Sequence, residues 1–495
     1  MSTTTEAAGP PRTQPAPTDP TRSAADRTPA DRTATDRTAT DRTATDRTAT
    51  DRTATDRTAT DRTATDRIAG ATAVARTVPD SDPYVLYERG EDVFLAAGTA
   101  AEIVLGPDGL TVTAPTGTRH EPLGADPLGQ VSAALAEVGG TGWQAFGWAS
   151  FELAHLLHGG ELPADTGTLL HLLHLLLPLH TAHLHPGGVD VDTADDAVAR
   201  AWRDAILGAG HAAPRTGPAV TVDESARAEA YRGSVAAAVA EIGEDRFRKV
   251  ILSRTVPVTE PVDLPATYRH GRAHNTPAGS FLLRLGGLEA AGFSPETVVE
   301  VAADGTFSTQ PLAGTRARSG EPERDAELSD ELRRDPKEIY EHAVSVQVAQ
   351  DEVCEVSDPD AVVVEEFMRV VERGSVQHLA SRVRGRLRPG ATAWDALGRL
   401  FPAVTASGLP KAPACAAISR HEGARGLYSG AVLTVDHTGA LDAALVLRAI
   451  YRAQGRTWLR AGAGIVGAST PERELEETRE KLRSVSRFLV GEETT

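Results

Sequence analysis

Residues 281–293, Phe-Leu-Leu-Arg-Leu-Gly-Gly-Leu-Glu-Ala-Ala-Gly-Phe, contain two apolar segments separated by Gly286-Gly287. Paired glycines accept the positive φ angles of a tight two-residue turn, so this stretch predicts a β-hairpin. A hairpin places neighbouring strands antiparallel. The fold class therefore depends on how often this pattern recurs.

The pattern recurs along the second half of the chain. Further pairs are Val298–Ala302 with Thr306–Gln310, Phe367–Val371 with Val376–Leu387, and Gly430–Val435 with Leu441–Tyr451; Val250–Val258 and Thr457–Ala461 add single β-rich segments. Consecutive hairpins with inserted helices predict an α+β fold with a mostly antiparallel sheet, not a doubly wound one.

The N-terminal segment has a different composition. Asp-Arg-Thr-Ala-Thr repeats place an aspartate at every fifth position from Asp26 to Asp66. A five-residue period gives a helix no apolar stripe, and ordering this segment would cost entropy without burying a core. We therefore expect residues 1–78 to be disordered, and their removal to leave turnover and melting temperature nearly unchanged, although a binding tail is an alternative. The folded part is expected at 79–490, divided into 79–220 and 221–490.

The composition excludes several classes of protein. The 495 residues include 51 Lys and Arg against 69 Asp and Glu, a net charge of −18, which disfavours general binding to nucleic acid or anionic lipid. No apolar run approaches the roughly 18 residues of a membrane span. With two cysteines, Cys354 and Cys415, and no secretory signal pattern, the sequence predicts a cytoplasmic protein.

A histidine-rich region raises the question of whether the chain has a zinc site. It contains His155, His158, His171, His174, His180, His183 and His185 among many leucines. If 180–185 is a strand, Ala182 and Leu184 share one face with His180, and His183 and His185 share the other. Because zinc sites need converging ligands, we interpret these as partly exposed strand histidines.

Two helices carry paired carboxylates. Asp335-Pro336 and Thr470-Pro471 are typical helix starts, with a capping residue followed by proline at the first helical position. The first helix presents Glu338 and Glu341, and the second presents Glu474 and Glu477, with Lys481 one turn later. A solvated charged face would explain each pair alone. Two such pairs together also suit Mg²⁺, which prefers carboxylate oxygens and water.

Three further features lie next to predicted strands. Lys249 precedes Val250; it either extends to the surface or faces a pocket where it can act as a base. Glu296 follows a strand end and is either a turn cap or, if buried, a protonated general acid. Gly314 precedes Thr315 and allows backbone amides to approach an anion.

Together these motifs resemble the chorismate-utilising enzymes. The resemblance rests on RKVILSR at 248–254, GFSPE at 292–296, QPLAGTR at 310–316, DPKEIYEH at 335–342, AGAGIV at 461–466, and Glu474, Glu477 and Lys481, in this order. It is strongest to the bifunctional salicylate synthases. Lys249 matches the lysine of members that add water, whereas Ala313 stands where the aminodeoxychorismate branch has a lysine.

The resemblance implies a single two-sheet catalytic unit with helices outside, which converts chorismate to isochorismate and then to salicylate and pyruvate for siderophore or related secondary metabolism. It implies that Lys249 is the base and Glu296 the acid. Mg²⁺ would be held by Glu338, Glu341, Glu474 and Glu477, and the substrate by Thr315, His378, Thr405, Tyr428, Arg448, Gly462 and Lys481.

Three alternatives remain open from the sequence. An enzyme that stops at isochorismate would share all of these residues. An anthranilate synthase component I would need a glutaminase partner and usually lacks lysine at 249. An inactive chorismate-binding homologue would be expected to have lost at least one charged position. We expect no glutaminase subunit, nucleic acid or membrane partner, and a monomeric protein.

Overall fold

The computed structural model describes residues 64–162, 171–209, 217–374 and 376–493. Within these ranges the strands form a ten-stranded antiparallel sheet (sheet 1) and a twelve-stranded antiparallel sheet (sheet 2). Most of the N-terminal segment that we expect to be disordered, residues 1–63, lies outside the described residues. None of the described helices has the length and apolar character needed to cross a lipid bilayer.

The strands are β1 Tyr84–Arg89, β2 Asp92–Ala97, β3 Ala101–Leu105, β4 Gly109–Ala114, β5 Gly117–Pro122, β6 Gln144–Ala149, β7 Leu173–Leu177, β8 His180–His185, β9 Gly188–Asp192, β10 Lys249–Val258, β11 Gly279–Leu285, β12 Leu288–Ser294, β13 Thr297–Val301, β14 Thr306–Thr309, β15 Leu312–Ala317, β16 Val363–Arg373, β17 Val376–Arg386, β18 Gly408–Leu409, β19 Ala431–Asp436, β20 Leu441–Leu445, β21 Ala449–Ala453 and β22 Arg456–Ile465.

The helices are α1 at 64–75, α2 Pro127–Val138, α3 Leu153–His158, α4 Asp196–Ala209, α5 Ala228–Gly243, α6 Leu264–Ala273, α7 Pro322–Arg334, α8 Pro336–Val356, α9 Ala393–Leu400, α10 Lys411–Glu422 and α11 Pro471–Ser486, with a 3₁₀ turn at Pro359–Ala361. Sheet 1 has the order β18-β10-β22-β21-β12-β11-β1-β2-β8-β9. Sheet 2 has the order β15-β17-β14-β13-β20-β19-β6-β7-β3-β4-β5, and β16 pairs with β17.

The predicted α+β fold with two antiparallel sheets is confirmed. The Gly286-Gly287 turn joins β11 to β12, with Leu285 opposite Leu288. The inner faces of the two sheets meet in an apolar layer in which Phe281 of sheet 1 packs with Phe146 of sheet 2. Helices cover the outer faces, because their apolar sides complete the cores on those sides.

The prediction of one continuous strand over Leu441–Tyr451 is wrong. The chain leaves sheet 2 after β20 and enters sheet 1 as β21, with Arg448 at φ 52° between them. The amide of Ser429 bonds the carbonyl of Val446 at 2.9 Å, which satisfies the backbone where the strand breaks. A similar change of sheet occurs between β12 and β13, at Pro295-Glu296. Apolar composition alone does not reveal such a crossing.

The expected boundary at residue 78 also differs from the structure. Helix α1 and the turn after it occupy residues 64–78, and Ile68, Val74 and Val78 are buried in the core on the outer side of sheet 1. Beyond Asp66 the repeat ends and apolar residues recur at helical spacing, so this segment can offset its ordering entropy.

A chain that begins at residue 79 is therefore expected to melt at a clearly lower temperature than one that begins at residue 64. Each buried Val or Ile contributes about 1.5–3 kcal/mol, and the truncation also removes the Arg76–Asp263 ion pair at 2.6 Å. Differential scanning calorimetry of both chains tests this. Equal melting temperatures would show that α1 adds no stability.

Candidate active site

A cavity of about 140 Å³ lies where the chain passes between the two sheets. Of the predicted site residues, its lining contains Lys249, Glu296, Thr315, Glu341, His378, Thr405, Tyr428, Arg448, Gly462, Glu477 and Lys481. Glu338 and Glu474 are buried next to lining residues but do not line the cavity themselves. The structure thus brings together residues from β10, β12–β13, β15, β17, β21–β22, α8 and α11.

Lys249 begins β10 and faces the cavity rather than the surface. Its Nζ donates a hydrogen bond to Glu341 Oε1 at 2.5 Å. Burial by itself would raise the pKa of Glu341, but the charge and hydrogen bond of Lys249, together with the charges of Lys337 and Lys481, hold that pKa below its usual range. Glu341 is therefore an ionised carboxylate next to a lysine, inside a pocket.

Glu296 is buried, with 4% of its surface exposed, at the crossing from sheet 1 to sheet 2. Burial raises its pKa to about 8, although hydrogen bonds from the Thr405 side chain and the Leu312 backbone, and the charge of Lys249, act in the opposite direction. The Thr405 hydroxyl lies 2.8 and 2.9 Å from the two carboxyl oxygens. Glu296 is therefore a neutral acid at pH 7.

Helix α8 begins as expected, because the Asp335 side chain accepts from the amides of Lys337 and Glu338. Glu338 Oε2 accepts from the Thr315 amide at 3.2 Å, and Oε1 lies 3.3 Å from Arg316 Nη1. Glu338 thus ties α8 to β15, and Glu341, one turn further, faces the cavity.

Helix α11 starts at Pro471, although the Thr470 side chain makes no capping bond. Burial raises the pKa of Glu474, and the negative charge of Glu477 adds to the effect. Lys481 Nζ lies 2.7 Å from Glu477 Oε1 and 2.9 Å from the Gly462 carbonyl. The two glutamates are close enough to influence each other, and Lys481 is fixed between α11 and β22.

A buried polar chain crosses the other side of the cavity. Thr315 and His378 are paired across β15 and β17, with Oγ1 and Nδ1 3.0 Å apart. Arg448 Nη2 lies 3.0 Å from His378 Nε2. Burial, together with the Arg448 charge, holds the pKa of His378 well below its usual range, so Nε2 accepts from the guanidinium and Nδ1–H donates to Thr315. Arg448 remains available as a cation, since burial lowers its pKa only to about 10.

One further residue of the cavity lining was missed by the sequence prediction. Arg460 lines the cavity, and its guanidinium lies 5.4 Å above the Tyr428 ring while bonding Glu422 at 2.7 Å. Arginine in the apolar strand 457–461 was the available signal, because a buried guanidinium needs a partner. A Cβ on Gly462 would lie 2.9 Å from the Tyr428 hydroxyl, so only glycine allows this close approach.

The donor set around the cavity suits Mg²⁺. Glu341 and Glu477 line the cavity from two different helices, and Glu474 is buried beside Glu477. In the structure, Lys249 and Lys481 balance the charge of the two lining carboxylates. Hard oxygen donors of this kind match Mg²⁺ rather than softer metals.

The comparisons with known proteins cover nearly all of the folded part. The family model described as chorismate binding enzyme matches residues 82–487. A salicylate synthase of Mycolicibacterium paratuberculosis is 45% identical over 430 residues, which is 86% of this chain and 93% of the relative. An anthranilate synthase component 1 of Streptomyces coelicolor is 43% identical over 247 residues, 49% of this chain and 47% of the relative.

Solved structures agree. An anthranilate synthase component I of Streptococcus pneumoniae superposes with a TM-score of 0.68 and 26% identity, over 80% of this chain and 92% of that one. The menaquinone-specific isochorismate synthase of Escherichia coli superposes with a TM-score of 0.63 over 85% and 90% of the two chains. At 19% identity, this second likeness shows the fold alone.

Proposed function

Because the chain belongs to the chorismate binding enzyme family, we propose that it is a salicylate synthase, which forms isochorismate from chorismate and then salicylate and pyruvate. One observation carries the proposal: a lysine and a neutral carboxylic acid, Lys249 and Glu296, line one cavity together with Glu341 and Glu477. The similarity to a salicylate synthase over 86% of the chain supports it.

In the proposed first step, Lys249 takes a proton from a water molecule as its oxygen bonds to C2 of the ring. The ring double bonds shift, and Glu296 donates its proton to the hydroxyl that leaves C4 as water. One water enters and one leaves, so the step is an isomerisation. Glu296 can fill this role because burial keeps it protonated at neutral pH.

The charges around the cavity would orient the dianionic substrate. Arg448 and Tyr428 are proposed to hold the pyruvyl carboxylate with the Gly462 backbone, and Thr315 and His378 to set the position of Arg448. Bound Mg²⁺, held by Glu341 and Glu477 with Glu338 and Glu474 in support, would supply positive charge for the ring carboxylate.

The proposed second step transfers hydrogen from C2 to the methylene of the enolpyruvyl group as the C3–O bond breaks, which releases pyruvate and leaves the aromatic ring. No acid or base is required. The cavity contributes by holding the enolpyruvyl arm over the ring. Its apolar lining, including Ile251, Leu312 and Leu459, shields this arrangement from water.

Product analysis tests the proposal. Purified protein is incubated with chorismate and Mg²⁺, and the products are separated by chromatography. Salicylate and pyruvate in equal amounts are expected. Isochorismate alone would identify an isochorismate synthase, anthranilate on addition of ammonium salt would identify an anthranilate synthase, and unchanged chorismate would identify a binding protein.

The pH profile provides a separate prediction. Since Glu296 must be protonated to act as the acid and its pKa is about 8, kcat/KM for chorismate should fall as the pH rises through about 8. A Glu300→Gln variant, altered at a half-exposed glutamate on β13, should keep this alkaline limb. If the residual activity of Glu296→Gln still decreased at the same alkaline pH, this decrease would have to be assigned to another group.

The cytoplasmic location, the monomeric state, the lack of a glutaminase subunit and the use of salicylate for siderophore biosynthesis stay predictions.

A further inference from the structure

A group of histidine and aspartate side chains lies at the opposite end of sheet 1 from β10. His183 and His185 on β8 and Asp190 on β9 each offer one donor atom, and these atoms all lie within 4.8 Å of one another. Strands β8 and β9 are the last two in the sheet order, whereas the cavity is bordered by β10, β22 and β21. This group is therefore separate from the glutamates of the active site.

The strand register explains why these side chains meet. His183 and His185 are two residues apart, so both project from the same face of β8. Asp190 is the direct antiparallel partner of His183, and such pairs have neighbouring side chains. Ala182 and Leu184 point into the core instead, as the sequence predicted.

A fourth donor approaches from the strand on the other side. Asp92 Oδ1 on β2 lies 2.8 Å from His183 Nε2. Phe94, two residues further on β2, stacks on the His183 ring at 4.4 Å and 11°. His185 Nε2 lies 3.1 Å from Asp190 Oδ2. Each imidazole therefore already faces a carboxylate, and one of the rings is held in orientation by an aromatic neighbour.

We propose that His183, His185 and Asp190, with Asp92 as the fourth ligand, bind one divalent transition-metal ion of the Zn²⁺ type. Imidazole nitrogen combined with carboxylate oxygen suits Zn²⁺, whereas Mg²⁺ takes oxygen ligands almost alone. Metal bonds of about 2.0–2.1 Å place tetrahedral ligand atoms roughly 3.3 Å apart, so only those donor atoms that lie further apart, up to 4.8 Å, must approach one another. The side chains are 29–79% exposed, so this adjustment disturbs little core packing.

Binding replaces the Nε2–carboxylate hydrogen bonds of both rings, and for His185 it also changes the bond at Nδ1. The Gly187 amide donates to His185 Nδ1 at 3.1 Å, so the proton of the neutral ring is on Nε2. Coordination through Nε2 moves that proton to Nδ1, and the exposed Gly187 amide then bonds to water. The cost is small because the turn is at the surface.

The expected consequence is a stronger sheet edge. Strand β9 is exposed along most of its length, and among the described strands it pairs with β8 alone. An ion bound by residues of β8, β9 and β2 would link the edge strand to two inner strands. Because the folded chain alone presents the four donors together, binding would raise the melting temperature.

Isothermal titration of the full chain with ZnCl₂ tests the proposal, using protein without a polyhistidine tag and excess Mg²⁺ to occupy the glutamate site. One Zn²⁺ per chain is expected at this cluster, and His185→Gln should weaken its binding by about tenfold or more. His180→Gln is the matched control, because His180 lies on the same strand but bonds Thr193 and contacts Trp202. It should bind Zn²⁺ as the unmodified chain does.

Asp190→Asn, at a side chain 79% exposed, gives a second variant that should fold normally and bind Zn²⁺ more weakly. Chorismate turnover should be the same in all of these variants, so the outcome is independent of the proposed activity. Unchanged Zn²⁺ affinity in both His185→Gln and Asp190→Asn, or an equal loss in His180→Gln, would overturn the site.

Discussion

Replacement of Lys249 by alanine is expected to abolish conversion of chorismate to isochorismate, with chorismate binding largely retained. A general base contributes a factor of about 10²–10⁴ to the rate. Lys249 lines the cavity together with Glu296, and its positive charge acts on the Glu296 carboxyl group. The substrate carboxylates are proposed to bind elsewhere, to Arg448 and the metal. Chromatography measures the rate, and titration calorimetry measures binding.

Two comparisons make the result specific. Lys249→Arg keeps a positive charge next to Glu341, which Lys249 contacts at 2.5 Å. Arginine does not lose its proton, however, and cannot act as a base. It should be as inactive as the alanine variant. Both variants should still release salicylate and pyruvate when supplied with isochorismate, because the second step needs no base. Normal turnover of chorismate by either variant would remove Lys249 from the mechanism.

Removal of Mg²⁺ is expected to stop turnover completely, and its return to restore it. Glu477→Gln should raise the Mg²⁺ concentration needed for half-maximal activity by at least about tenfold, because a neutral amide replaces an anionic ligand. The variant also leaves Lys481 without its 2.7 Å partner. Activity as a function of Mg²⁺ concentration, after treatment with a chelator, is the measurement.

Glu480→Gln is the matched control for this experiment. Glu480 is on the same helix α11 but is exposed, so its loss should leave the Mg²⁺ response unchanged. Full activity in the presence of chelator, or the same Mg²⁺ response in Glu477→Gln as in the unmodified chain, would contradict the assignment of these glutamates to a metal.

The local features of the fold could be predicted from the sequence. Gly286-Gly287 and the other turns marked the hairpins, and Asp335-Pro336 marked the start of α8. These signals are local, since glycine and proline restrict the backbone at the positions where they occur. Sheet order is not local. That β12 pairs with β21, more than 150 residues away by number, depends on packing that no short pattern contains.

The candidate site shows the same division. Lys249, Glu296 and the helix glutamates could be recognised as a series, but only the fold shows that Glu341 and Glu477 line one cavity with Lys249 and Glu296. Arg460 was missed although it is an arginine within an apolar strand segment. The partners of His183 were also hidden, because Asp92 and Asp190 lie on two other strands. Strand register, rather than composition, decides which polar residues meet.

The crossings between the sheets have a consequence for how this protein should lose its function. Glu296 and Arg448 each sit where the backbone changes from one sheet to the other, so their spacing is set by how the two sheets are seated. A low concentration of guanidinium chloride that loosens the contact between the two sheets would misalign the Glu296 carboxyl group and the Arg448 side chain, while the hydrogen bonds between strands stay intact. Inactivation should then occur at a lower denaturant concentration than any change in far-ultraviolet circular dichroism, because the packing between the sheets is lost before the secondary structure.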